Sequence, residues 1–587
     1  MKVFYGLLDD VVSKVFKEKK EFSEKEDVEP GAKVWALPPP PCLECKFEAV
    51  HVCVEDLGWE DQQITAEEYS RRNPGRPQIS YVVITKDDLL EAIESIPNTA
   101  APGPDGVPPC LLKKARRSVA KILADIFQHS IKTGEVPTIL KIGLISPIHK
   151  GDSTSDPANY RPISLTSHLS KTEERIVRKA VVCFLEQNNK MDPSQHGSRQ
   201  GRSTLSQLLE HHSEIVETLE RGENADCIYT DFSKAFHKCD LGILMHKLKT
   251  LGITGRLARW IHSFLSNRKQ KVVVDGAASK ETDVTSGVPE GTVLGPLLFL
   301  IYISDIGENV NSSKKVYVDD TKLIKAVKTE NDVEDLQDDL DTLYKWAEEN
   351  NMKFNGKKFQ VMRYGSDEDL KNDTLYFTEN TENIVERQET IRDLGVMMSD
   401  DASFKDHIDK VMKKVRQKTG WVLRTFYSRK TMLMKTLFKT LILPHVDYCS
   451  QLWMPVKTME ILKIEKLQKD FLNRIPALRG MNYWQKLELL KMTSIQRRQE
   501  RYRIMYTWKI LEGLAPNCGI QTSTLGDQKQ GGKCKIPNIK TGAKASARAA
   551  REQTFQVHGA QLFNCLPPFL RNMTKCSVDK FKEALDK

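Results

Sequence analysis

Three aspartates in this 587-residue chain stand where they could do chemistry together. Asp231 closes the run Cys227-Ile228-Tyr229-Thr230, whose residue types favour a buried strand. Asp319 and Asp320 lie within KKVYVDDTKLIKAV, residues 314–327, where two β-prone stretches flank a tight turn expected at the Asp-Asp pair. Carboxylates held on rigid strand ends repel one another, so they cluster only where cations neutralise them. Hard divalent ions such as Mg²⁺ or Mn²⁺ take oxygen ligands and bind a few carboxylates together with substrate phosphates. Two such ions about 4 Å apart can activate an attacking hydroxyl and stabilise a leaving pyrophosphate. An Asp-Asp pair alone is commonest at a solvent-exposed turn. The buried-looking flanks and the second strand ending on Asp favour the metal-binding reading here.

Two further sets could meet a phosphorylated ligand. In SGVPEGTVLGPLLF, residues 286–299, the glycines and Pro289 let backbone approach a ligand at the start of an apolar helix. A plain turn before a core helix explains the same pattern. Lys150, Arg161, Lys171, Arg199 and Arg202 could contact phosphates, although each alone reads as a surface charge. Cys42, Cys45, His51 and Cys53 can be drawn as a zinc set. The CxxC half has ligand spacing but the second pair is missing, and free thiols are the better reading.

The elements that must position these residues are legible in the same pattern. Residues 1–80 are charged and proline-rich, with little apolar periodicity, and read as irregular chain. Val82 to Ile84 read as a short strand and DDLLEAIESI as a helix ending before Pro97. Val119, Ile122, Ile126 and Phe127 mark a second helix that Gly134 ends. LISPIHKGD, residues 144–152, reads as a strand, and NYRPISLTS follows it. Val333, Leu336, Leu340 and Leu343 make an amphipathic helix after the aspartate hairpin. Segments 405–440, 458–475 and 493–513 carry apolar stripes among Lys and Arg. The expected organisation is an irregular 1–80, a catalytic body over 81–400, a helical basic region over 401–520 and a tail over 521–587.

Composition excludes several classes. With 40% hydrophobic and 28% charged residues the chain has material for several cores, and collagen-like or wholly disordered readings fail. No apolar run reaches the ~20 residues that span a bilayer, and no secretory signal is evident. The twelve cysteines are too scattered for a disulfide scaffold, which points to a reducing, intracellular setting. Charge is divided unevenly. The last 187 residues carry 36 Lys and Arg against 15 Asp and Glu, a net of +21, whereas the first 400 carry 52 against 64, a net of −12. A basic module suggests a polyanion such as nucleic acid. Well-solvated helices rich in Lys and Arg would give the same balance.

The order APGPDGVPP, PIHKGD, NYRPISLTS, QHGSRQGRS, DFSKAF, SGVPEGTVLGPLLF, YVDD, FNGKKFQVMRYG and RDLGV resembles the reverse transcriptase of non-LTR (LINE-type) retrotransposons, nearest the jockey-like and chicken-repeat-like branch. The resemblance runs from about residue 85 into PHVDYCSQLWMP, QRRQERYRIMYTWKILEG and LFNCLPPFLRN. It implies an α+β right-hand polymerase of fingers, palm and thumb, with a mostly helical basic C-terminal extension. It also implies RNA-directed addition of dNTPs to a DNA primer 3′-OH with Mg²⁺ or Mn²⁺. In that family Asp231, Asp319 and Asp320 would be the metal ligands, with Lys358 a proton donor to pyrophosphate. Phe232, Phe236, Glu290, Gly291, Lys150, Arg161 and Arg199 would be nucleotide-binding, with Phe236 excluding ribonucleotides. Leu394-Gly395-Val396 would form the primer grip, and the region beyond 401 would hold the RNA–DNA duplex. The implied partners are RNA template, DNA primer and dNTPs, with element RNA and a separately supplied nicked target, in nucleus or cytoplasm and at no membrane. Oligomeric state is left open.

Several residues depart from the family pattern. Glu290 stands where Gln is usual, His237 where Asp is usual, and Ser198 where Phe is usual. YVDD in place of FADD is milder. Residues 1–80 are too short for the apurinic-type endonuclease that precedes the polymerase in that family. The sequence therefore reads as a truncated copy whose activity is impaired. The alternatives are a catalytically inactive relic or domesticated nucleic-acid-binding protein, and, less favoured, a maturase-like helper.

Overall fold

The computed structural model describes residues 75–151, 153–365, 375–378, 383–522, 533–538 and 544–586. Cys42, Cys45, His51 and Cys53 lie outside them, as do most of segment 1–80 and parts of the 521–587 tail. The described elements mix helix and strand, in keeping with the α+β class.

In chain order, α1 (Lys86–Glu94) and α2 (Pro109–Thr133) precede β1 (Ile142–His149), β2 (Tyr160–Leu165), α3 (His168–Gln187), α4 (Thr204–Glu220) and β3 (Asn224–Thr230). Short α5 (Ala235–Lys238), α6 (Leu241–Thr250) and α7 (Gly255–Leu265) lead to β4 (Arg268–Val274), β5 (Ala277–Ala278), β6 (Thr282–Val284) and α8 (Gly295–Tyr302). Then come β7 (Ser313–Tyr317), β8 (Asp320–Val327), α9 (Glu330–Glu349), β9 (Gln360–Tyr364), β10 (Phe377–Thr378), β11 (Asn383–Ile384), β12 (Glu386–Arg387), β13 (Thr390–Asp393) and β14 (Val396–Ser399). The basic region is helical, with α10 (Lys405–Thr425), α11 (Thr431–Leu437), α12 (Leu443–Asp447), α13 (Ser450–Trp453), α14 (Thr458–Leu472), α15 (Tyr483–Leu490) and α16 (Ile495–Leu511).

These elements pack as two compact units. One holds the described residues of Met1–Asp192 and Lys234–Asp305, the other those of Pro193–Ser233 and Ile306–Lys587. In the first, β1 pairs antiparallel with β2 and parallel with β4, which also takes β5 and β6. Its helices bury Leu112, Phe127, Trp260 and Phe264. Residues 82–84 are not the expected strand. Val82 and Ile84 are buried and Val83 is exposed, the right alternation, but no neighbouring strand takes them. The Ile84 N–H donates instead to Gln128 Oε1 at 2.8 Å.

The second unit is built on the sheet β12-β9-β3-β8-β7. Its centre, β3, is antiparallel to both β8 and β9 and buried along nearly its whole length. A central strand covered on both faces must satisfy any polar side chain it carries. Asp226 does so through its register partner Arg363 and through the Tyr376 hydroxyl at 2.6 Å. Helix α9 starts at a Thr329–Asp332 capping box and buries Val333, Leu336, Leu340 and Leu343, as the spacing requires. The apolar stripe of α10, Ile408, Val411, Met412 and Val415, enters a continuous core with α12, α14 and α16.

Candidate active site

Register brings the three aspartates to one end of the second unit's sheet. Thr230, the last residue of β3, faces Thr321 of β8, so Asp231 and Asp320 follow at the same sheet end. The β7–β8 turn lies one residue earlier than expected. Tyr317 pairs with Asp320, leaving Val318 and Asp319 as the two-residue loop. Val318 has φ 60, and Asp319 is not among the residues with positive φ, the pattern of a type II′ hairpin turn. Val favours strands, which is why sequence alone shifts the turn toward the Asp-Asp pair.

The chain after β3 is fixed by segment 353–355. The Asn355 N–H donates to Asp231 O and the Ser233 N–H to Lys353 O, both at 2.8 Å. Phe232 is buried and stacks on Phe354, centroids 4.2 Å apart. Phe232 is thus packed against segment 353–355, next in sequence to Asp231. The Lys358 ammonium lies 2.8 Å from Asp231 Oδ2.

Electrostatics mark the sheet end as cation-seeking. Burial first, then the charges of Asp319 and Asp231, push the Asp320 carboxyl up to about 6. Among the described residues no group of three His, Cys, Asp or Glu side chains stands ready to hold a metal ion, and the Asp231 carboxylate is paired with Lys358. The donor set nevertheless suits a hard divalent ion. All three groups are carboxylates, and their mutual repulsion is what such an ion would relieve.

The ion pair beneath this site is invisible in the sequence. Lys322, on the same face of β8 as Asp320 by the two-residue period, is buried. Its ammonium lies 2.5 Å from Asp393 Oδ2 and 2.9 Å from Gln207 Oε1, and sits over the Tyr229 ring. Burial raises the Asp393 carboxyl despite the attraction of Lys322. A Lys amid apolar residues of a strand is a weak signal that could have drawn attention to it.

The other candidates divide between the units. Arg199 belongs to the second. Lys150, Arg161, Phe236, Glu290 and Gly291 belong to the first. There, Lys150 and Arg161 are exposed at the outer end of the β1–β2 hairpin. Phe236 stacks on Phe299 of α8, centroids 4.5 Å apart. The loop before α8 is tied down along its length. The Val288 N–H donates to Phe236 O at 2.8 Å, the Ser164 N–H to Glu290 O at 3.1 Å, and Val293 and Leu294 N–H groups to the Glu174 carboxylate at 2.7 and 3.0 Å. Gly291 lies so close to Ser164 O that a Cβ would overlap it. Two of the three departures from the family pattern meet here: His237 Nδ1 is 3.8 Å from Glu290 Oε1.

Residues 148–398 match the reverse transcriptase (RNA-dependent DNA polymerase) family, an interval that contains all three aspartates and Lys358. The chain carries a reverse transcriptase domain. The described elements of that interval mix helix and strand, as the α+β class expects. The chain is similar to a probable RNA-directed DNA polymerase from transposon X-element of Drosophila melanogaster, 27% identical over 392 residues, 65% of this chain and 42% of that protein. It is similar to the RNA-directed DNA polymerase from mobile element jockey of the same fly, 25% identical over 422 residues, 70% of this chain and 45% of that protein. The chain thus spans less than half the length of these relatives. Among solved structures, telomerase from Candida albicans with a telomeric RNA fragment aligns at 13% identity and TM-score 0.33, over 64% of this chain and 69% of that one. No helix among the described residues is long and apolar enough to cross a membrane.

Proposed function

We propose that this chain is an RNA-directed DNA polymerase of the non-LTR retrotransposon type, adding dNTPs to a DNA primer 3′-OH on an RNA template. The observation that carries the reading is the convergence of Asp231, Asp319 and Asp320 at one sheet end, inside the interval that matches the reverse transcriptase family. Asp231, Asp319 and Asp320 would hold Mg²⁺ or Mn²⁺, which when bound supplies Lewis-acid activation of the 3′-OH and charge stabilisation of the leaving pyrophosphate. The chain's own residues do the rest. Lys358 carries a proton at Nζ within reach of Asp231 and is the candidate donor to pyrophosphate. Phe236, stacked on Phe299, is the candidate ribose discriminator, and Glu290 and Gly291 belong to the candidate nucleotide loop. Lys150, Arg161 and Arg199 are candidate phosphate contacts.

The basic region would hold the duplex. Lys410, Lys413, Lys414 and Lys418 line one surface of α10 with Trp421. The Lys418 ammonium lies 5.5 Å from the Trp421 ring centroid. A row of ammonium groups around an exposed aromatic suits a phosphate backbone, with binding that weakens as salt rises. The partners under this reading are an element RNA, a primer from a nicked DNA target and dNTPs, met in nucleus or cytoplasm.

The test is primer extension on poly(rA)/oligo(dT) with Mg²⁺, beside an Asp319→Ala Asp320→Ala control. Product from the natural chain that disappears in the control supports the reading; equal signals remove it. One observation favours a second reading, a binding protein without turnover: the His237–Glu290 pair puts a carboxylate in the candidate nucleotide loop, where negative charge opposes a triphosphate. No extension, with salt-sensitive duplex binding retained, would select that reading. Restored extension in Glu290→Gln would reduce it to one damaged residue.

A further inference from the structure

We propose that Gln195 is a positioning residue whose side-chain amide clamps Val318 and so fixes the turn that presents Asp319 and Asp320. The inference rests on the reading of those two carboxylates as the polymerase pair. It begins from the backbone. Val318 is β-branched, yet it holds φ 60 at the first loop position, where glycine is the usual residue. A left-handed conformation at such a residue costs about 1–3 kcal/mol and persists only where its surroundings enforce it.

Gln195 enforces it from a segment far away in sequence. Its Oε1 accepts the Val318 N–H at 2.9 Å and the Gly197 N–H at 2.7 Å, while its Nε2 donates to Val318 O at 3.4 Å. One amide therefore grips both the donor and the acceptor of a single strained residue, which needs the paired chemistry of Gln or Asn. The Gln195 side chain is buried, 4% exposed, so these bonds are made without competition from water. The clamp itself is anchored. Residues 194–196 run parallel to β7, with Val316 N–H donating to Ser194 O at 3.0 Å and His196 N–H to Val316 O at 2.9 Å. The buried His196 ring meets Ser206 Oγ at 2.8 Å and Glu210 Oε2 at 3.2 Å, both on α4. Gly197 closes the contact, because a Cβ there would fall 2.6 Å from Val318 N and overlap Val318 Cγ2. If the segment were mere edge cover for β7, bonds to Val316 would suffice; the amide reaches past them to the turn.

The experiment compares the full chain with Gln195→Ala, Gln195→Glu and Gln195→Ala Val318→Gly. Amide hydrogen exchange is followed over residues 313–321, with 224–230 as an internal reference, and kcat and KM for dTTP are measured on poly(rA)/oligo(dT). Gln195→Ala should exchange about tenfold faster over the turn, the loss of about one hydrogen bond, with the reference unchanged. Its kcat should fall about 10- to 100-fold with KM and duplex binding within about twofold, as for a small displacement of reacting groups. Gln195→Glu, which loses the donor and adds a buried carboxylate beside Asp319 and Asp320, should fall at least as far. Val318→Gly should return part of the lost kcat, since glycine takes positive φ without help. Unchanged exchange over the turn in Gln195→Ala overturns the clamp, as does a kcat loss that Val318→Gly leaves untouched. If the natural chain extends no primer, the polymerase reading falls, and the exchange comparison alone decides the clamp.

Discussion

Two hairpin turns in the second unit meet the same backbone problem and surround it differently. Between β7 and β8, Val318 takes φ 60; between β13 and β14, Leu394 takes φ 42 and Gly395 φ 92. Each places a large apolar residue in a conformation that costs free energy. Around the second turn the charges are matched: Asp393 at its base meets the Lys322 ammonium, and the Tyr448 hydroxyl donates to Leu394 O at 2.6 Å. Around the first, hydrogen bonds hold the backbone, but burial and then the charges of Asp319 and Asp231 push Asp320 up to about 6. Backbone geometry is enforced at both turns. Carboxylate repulsion persists at the first turn despite the Lys358 ammonium on Asp231, and that is where a divalent ion would bring compensating charge.

The comparison predicts opposite responses to substitution. Asp319→Ala Asp320→Ala should lower primer extension by about a thousandfold or more while leaving thermal stability equal or raised by a few degrees. A large loss of stability there would break the contrast. Lys322→Met should do the reverse. It leaves Asp393 buried without its cation and should cost about 3–5 kcal/mol in urea unfolding, and Lys322→Met Asp393→Leu should recover most of that. A single-variant cost below about 1 kcal/mol would show that the pair does not hold the second turn.

Smaller effects sharpen the contrast. Gly395 combines φ 92 with the Tyr448 ring, which a Cβ would approach to 3.2 Å. Gly395→Ala should therefore lose about 1–3 kcal/mol of stability, and primer affinity with it if this turn is the primer grip. The pH dependence comes last. A carboxyl raised from 3.8 to about 6 binds its proton more tightly folded than unfolded. Metal-free protein should thus lose stability as pH rises from about 4 to about 6, by about 1–2 kcal/mol once solvent screening is allowed for. Asp320→Asn should flatten that slope. A slope unchanged in Asp320→Asn would assign it to other groups.

Much of the fold was legible locally. The buried run before Asp231, the aspartate hairpin, the Val333–Leu343 stripe and the basic helices all follow from residue type and period, which act between near neighbours. Misplaced features needed a distant partner. Val82 to Ile84 have strand chemistry but no strand beside them, and the β7–β8 turn is moved by one residue. The His237–Glu290 contact likewise depends on tertiary structure, because it forms where the loop before α8 is tied to Phe236.

By itself the sequence determined which residues could carry chemistry: three carboxylates on β-prone runs, a lysine after FNGK, a glycine-rich loop before an apolar helix, and a basic C-terminal third. Those are properties of side-chain type and of spacing within a dozen residues. Only the tertiary structure decided which carboxylate is crowded, which buried lysine is neutralised, and which side chain holds a valine in a glycine's conformation. Burial, repulsion and a two-sided hydrogen bond depend on distances that chain connectivity does not set; packing sets them.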